Sequence, residues 1–132
     1  MIQPMPEIVC LCGSTKFKDA FQEANMNLTL AGKIVLSVGA YMHAENVGIT
    51  QEQKVALDLL HLSKIDLADK VLVLNVGGYI GESTEREIAY AISQDRELEF
   101  VEPLKGEAFL EANRHRIARL MLEFLKQNGL AV

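Results

Sequence analysis

Residues 69–91, DKVLVLNVGGYIGESTEREIAYA, limit what this chain can fold into more than any other stretch. The run Val71-Leu72-Val73-Leu74 is continuous rather than alternating, the pattern of a parallel strand covered on both faces. After it, Gly77, Gly78 and Gly81 let the backbone turn tightly and come close to a ligand, and Ser83 or Thr84 can cap the helix that follows. The free N–H groups at such a helix start favour anions. The junction therefore suits a phosphorylated or sugar-bearing small molecule. Glu87 falls one turn inside the helix, where it competes with an anionic ligand unless it has chemistry of its own.

The rest of the chain repeats the alternation of strand and helix without a linker or low-complexity segment. Strands are expected over 7–12, 33–38, 70–75 and 98–101, with helices ending near 31 and covering about 50–67, 84–94 and 106–127. Gly32 closes the first helix. Thr50, with Glu52 and Gln53 close behind, opens the second, whose Val55, Leu59, Leu62 and Ile65 share one face. This order calls for one domain spanning 1–132, an α/β fold with a parallel sheet of four to five strands sandwiched between helices. In such sheets ligands bind beyond the carboxyl ends of the strands, where the winding reverses.

Composition excludes several classes. With 132 residues, 49% hydrophobic and 23% charged, the chain can bury a real core. A formal charge of -5 argues against nucleic acid as a partner, since such domains carry a basic face. Arg114, Arg116 and Arg119 form the one basic cluster, and the helical spacing of Ile117, Leu120, Met121 and Phe124 reads them as a solvated helix face. No apolar run is long enough to span a membrane and no secretory signal opens the sequence, so no membrane and a cytoplasmic location are expected. Cys10 and Cys12 point the same way on a strand but lack CxxC spacing, which favours buried free thiols. His43, His61 and His115 have no Cys or His at ligand spacing, so no metal and no cofactor are expected.

Two strand ends carry residues suited to a ligand. Gly13-Ser14-Thr15-Lys16 follows strand one, and its N–H groups and hydroxyls suit a phosphate or a sugar hydroxyl, although it is neither GxxxxGK[ST] nor GxGxxG. A plain helix cap explains it equally well. The second end is the loop from Gly77 through Tyr79 to Glu87. Thr84-x-x-Glu87 matches a capping box, in which Glu87 only folds back on the backbone. Three glycines and Tyr79 make the loop longer than a simple strand-to-helix turn needs, which favours a site. A receiver domain is excluded: no acidic pair ends strand one, and Asn75 and Val76 stand where strand three would need an Asp.

Cys12-Gly13-Ser14, Ala68-Asp69 and Glu87-Ile88-Ala89-Tyr90-Ala91 after a glycine loop together resemble the nucleoside 2-deoxyribosyltransferase superfamily, including its 2'-deoxynucleoside 5'-monophosphate N-hydrolase branch. The resemblance covers about the first hundred residues, and the Glu-Ile-x-Tyr-Ala segment is its distinctive part. It implies a flavodoxin-like (Rossmann-like) three-layer sandwich that cleaves or exchanges the bond between base and deoxyribose. Glu87 would be the nucleophile that forms a glycosyl-enzyme. Gly13, Ser14 and Thr15 would hold sugar or phosphate, Ser83 and Thr84 the 5' end, with Gly78, Tyr79 and Gly81 in the surrounding loop. A carboxylate suits this chemistry because the transition state is oxocarbenium-like.

The chain departs from that family at two positions. His61 stands where the family carries an Asp about two helical turns before the Ala-Asp pair, and would serve as the acid; Gly81 replaces an Asp or Ser six residues before the nucleophile, with Glu82 and Ser83 beside it. Ala89 replaces a usual glycine. The segment Gly77-Gly78-Tyr79-Ile80-Gly81 with Glu85 and Glu87 is also similar, more faintly, to the PGGxGTxxE loop of Lonely Guy-type nucleoside 5'-monophosphate phosphoribohydrolases, which likewise break an N-glycosidic bond. The expectation is N-glycoside cleavage or base exchange on a nucleoside or nucleotide, against a non-catalytic nucleotide-binding or sensing module on the same fold. A homodimer is expected too, because the resembled family shares residues between subunits and Tyr41, Met42, Tyr79 and Ile80 fall in edge loops. The alternative is that the loop over 39–49 closes on its own pocket as a lid.

Overall fold

The strands Ile8–Cys12 (β1), Ile34–Leu36 (β2), Lys70–Val73 (β3) and Glu97–Phe100 (β4) pair in the order β2-β1-β3-β4, all parallel, in a computed structural model that describes residues 2–42 and 46–127. Helices connect them: Lys18–Leu30 (α1), Gln51–Leu67 (α2), Glu82–Ser93 (α3), Pro103–Ala112 (α4) and Arg114–Gln127 (α5). The chain runs outward from β1 to β2 and then crosses back to β3, so the winding reverses between β1 and β3. His43 lies outside the described residues. Among those residues no helix is long and apolar enough to cross a membrane.

Alternation along β1 builds two cores. Val9 and Leu11 meet Phe21 of α1 and Leu74, while Cys10 and Cys12 face the other way, among Ile65 and Ala68 near the end of α2, Ile88 to Ala91 of α3, and Ile117 and Phe124 of α5. Helices thus cover both faces of the sheet, the flavodoxin-like three-layer α/β architecture. Val71, Val73 and Leu74 are buried on alternate sides, which is why their stretch of sequence is continuously apolar. Burying Phe21 alone stabilises the fold by about 2–3 kcal/mol.

Several boundaries differ from the sequence reading. The helix expected over 106–127 is two helices, α4 beginning at Pro103 and ending where Asn113 turns its amide back to the Phe109 carbonyl at 2.8 Å. Pro103 stands in the first turn, where a missing N–H does no harm. Arg114 and Arg119 are exposed as expected, but Arg116 reaches across to the buried Glu85 and pins α5 to α3. In α2 the Thr50–Gln53 capping box forms in both directions. Its expected inward stripe is only half realised: Ile65 is buried and Leu62 half-buried, while Val55 and Leu59 are 48% and 60% exposed. Leu57, Leu60 and Leu67 are exposed as well. The expectation for the edge loops is met only in part: Tyr41 packs edge-on against Phe21 and Ile80 against the larger core, while Tyr79 stays exposed.

Candidate active site

A cavity of about 320 Å3 opens at the carboxyl ends of β1 and β3. Gly13, Ser14 and Thr15 enter it from the turn after β1, and Tyr79, Gly81, Ser83, Thr84 and Glu87 from the loop and first turns after β3. The two strand ends singled out in the sequence share one space because β1 and β3 are neighbours. Gly13 sits tightly there: a Cβ would stand 3.2 Å from both the Leu74 Cβ and the Leu74 carbonyl oxygen. Gly39, Ala40, Met42 and Ile49 line the cavity too, so described residues from both ends of the loop after β2 border the pocket of their own chain.

Gly78 does not line it. Gly77 and Gly78 take left-handed φ values of 63° and 84°, and that turn is held from the opposite side. The Gly77 N–H donates to the Glu102 carboxylate, and buried Asn75 both donates to and accepts from the Glu102 backbone at 3.0 Å. Two of the three loop glycines therefore shape the link from β3 to α4 rather than a binding surface. Tyr79 does reach the cavity, with the Lys16 ammonium 3.5 Å from its ring centre and Phe17 edge-on to it.

The helix start also differs from expectation. α3 begins at Glu82 with Gly81 as its cap, and no side chain caps it. Thr84 is thus inside the helix and buried, which removes the capping-box explanation of Glu87. Glu87 instead lies half-buried on the cavity wall. Burial pushes its carboxyl up to about 7, the neighbouring His61 and a hydrogen bond from the Cys12 thiol pull it down, and the charges of Cys10 and Asp58 push it up. Of the Glu-Ile-Ala-Tyr-Ala segment it alone faces the cavity. Ile88, Ala89 and Ala91 are core, and Tyr90 packs on Phe124 while its hydroxyl donates to Asp66 at 2.7 Å. Asp69 is equally structural, accepting the Ile8 N–H at 2.8 Å.

His61 is buried at the cavity floor, with Nε2 3.4 Å from the Cys12 sulfur and 3.7 Å from that of Cys10. Burial opposes its charge, but the hydrogen bond to Cys10 and the charge of Glu87 outweigh burial and raise its pKa. That nitrogen faces the thiols, while the imidazole also lines the cavity beside Glu87. Both cysteines are free and buried. The Cys12 hydrogen bond, against the opposing cost of burial, brings the Cys10 thiol down to about 6, while that same bond and burial hold Cys12 well above the ordinary thiol range. The reason for expecting no metal, the absence of a companion ligand near His61 in sequence, fails here: α2 crosses β1 so that 49 residues of chain separate partners in contact.

Helix α2 supplies three residues that the sequence reading missed, Lys54, Asp58 and Lys64, beside the His61 it singled out. Lys54, Asp58, His61 and Lys64 line the cavity, spaced four, three and three apart, a polar stripe at helical period. Lys54 pairs with Asp58 at 3.1 Å and donates to the Ser83 hydroxyl at 3.2 Å, joining α2 to the start of α3. Lys64 donates to the Ser37 carbonyl at 2.6 Å and so anchors the loop after β2. Chemically, the site offers three carboxylates, Asp58, Glu82 and Glu87, and two ammonium groups around a space large enough for a small molecule.

No family model, curated protein or solved structure matches this chain. Fold and site together define a flavodoxin-like α/β domain with an ionisable cavity at its topological switch point.

Proposed function

We propose that this chain binds a nucleoside or nucleotide in the cavity between β1 and β3 and cleaves, or exchanges the base of, its N-glycosidic bond. One observation carries the reading: Glu87, inside α3 and free of any capping role, lines the cavity as a partly desolvated carboxylate together with a second acid, Asp58. In the reaction the Glu87 carboxylate bonds to C1' as the bond to the base breaks, and water or a second base then takes the sugar from the enzyme. Asp58 is the group assigned to the departing base or the incoming acceptor, and His61 keeps the Glu87 charge in place from below. The first turn of α3, with Lys54 held on Ser83, favours the anionic or hydroxyl end of the substrate.

The exposed apolar residues Val55, Leu59 and Leu60 on α2 support a homodimer joined through that helix, beside the cavity mouth. Incubation with a panel of nucleosides and their 5'-monophosphates, with free base followed by chromatography, tests the activity. Base release from at least one member is expected. Ligand-dependent stabilisation with no base release from any of them favours the non-catalytic binding module instead.

A further inference from the structure

We propose that Cys10, Cys12 and His61 form a binding site for Zn2+, its fourth position left open to the cavity. Among the described residues these three are the group whose ligand atoms all lie within 4.8 Å of one another. Two sulfurs converge on a single nitrogen, at 3.7 and 3.4 Å. Hydrogen bonds link these atoms only in pairs, Cys10 with Cys12 and each sulfur with the imidazole nitrogen. A metal ion between the three atoms serves all of them together.

The spacing fits that ion. With Zn–S of about 2.3 Å and Zn–N of about 2.0–2.1 Å, a tetrahedral centre separates sulfur from nitrogen by about 3.5 Å. The two observed separations bracket that value. Two thiolates and an imidazole are a donor set that selects Zn2+ over Mg2+ or Ca2+. Binding takes both sulfurs as thiolates and the imidazole as neutral, their protons passing to solvent, so the centre with its three protein ligands carries no net charge. Lys64, whose charge acts on both Cys10 and His61, favours the thiolate and the neutral imidazole that the ion requires. Access runs through the cavity, because His61 and Glu87 line it while the two cysteines are fully buried.

The full chain, purified under reducing conditions, stripped with a chelator and titrated with Co2+ without oxygen, tests the site. A stoichiometric amount of Co2+ is expected to give a thiolate-to-cobalt band in the near ultraviolet and the intense visible bands of a tetrahedral ion. Stoichiometric Zn2+ should then abolish both and raise the thermal midpoint. The Cys10→Ala, Cys12→Ala double variant, with folding checked by circular dichroism, should lose the near-ultraviolet band. Absence of that band in the unaltered chain, or its persistence in the folded double variant, overturns the site, and a variant that does not fold leaves the decision to the unaltered chain. None of these readouts depends on whether the chain cleaves a nucleoside.

Discussion

The two faces of β1 differ in what they bury. Toward α1, Val9 and Leu11 meet Phe21 and Leu74 in a wholly apolar contact. Toward α2 and α3, Cys10 and Cys12 meet His61, and Glu87 lies just beyond. Adjacent residues of one strand thus serve different ends: one side is purely apolar, and the other, beside the larger core, gathers ionisable groups at a cavity. Burying such groups is unfavourable unless they are paired, so their concentration on one face is a sign of function rather than of packing. The same side also ends in an uncovered helix face, whereas α1 closes against the sheet with Phe21 fully buried.

Substitutions on the two faces should separate activity from stability. The largest effect is expected for Glu87→Gln, which should lower base release by about a thousandfold or more while moving the thermal midpoint little, because the carboxylate faces a cavity rather than a packed core. Full activity in that variant would remove Glu87 as the nucleophile and the functional half of the comparison with it. On the opposite face, Phe21→Ala should cost about 3–5 kcal/mol in denaturant unfolding, since a fully buried ring leaves a cavity behind. A loss well under 1 kcal/mol would mean that the α1 face is not a stabilising one. The smallest change in folding is expected for Leu59→Lys, within about 0.5 kcal/mol because the side chain is exposed. That variant should nonetheless convert the dimer to a monomer by light scattering; a chain that is monomeric before the substitution refutes the dimer through α2.

Much of the architecture was legible because parallel strands covered on both faces leave continuous apolar runs, as Val71 to Leu74 do. Glu87 stood out for a sound reason, a carboxylate just inside a helix after a glycine loop, although the helix starts at Glu82 rather than near Thr84. Helical period identified residues that share a face of α2 but not which face turns inward. The stripe through Val55 and Leu59 and the stripe through Lys54, Asp58 and His61 lie about a quarter-turn apart, and the more apolar one was read as core. Asn113 gave no comparable signal, since a break between two helices depends on where the second must lie to bring Ile117 and Phe124 onto the sheet side.

Sequence by itself determined the alternation of strand and helix, the parallel sheet, and the edge at which a ligand would be held. These follow from local periodicity and turn chemistry, which act over a few residues. Tertiary structure alone decided that His61 meets Cys10 and Cys12, that Asp58 and Lys54 join Glu87 around one cavity, and that Gly78 turns away from it. The physical reason is that these meetings depend on the crossing of α2 over β1 and the packing of α3 beside it. Side chains far apart in the chain are brought within bonding distance by burial of the apolar residues around them, and no spacing along the sequence encodes that distance.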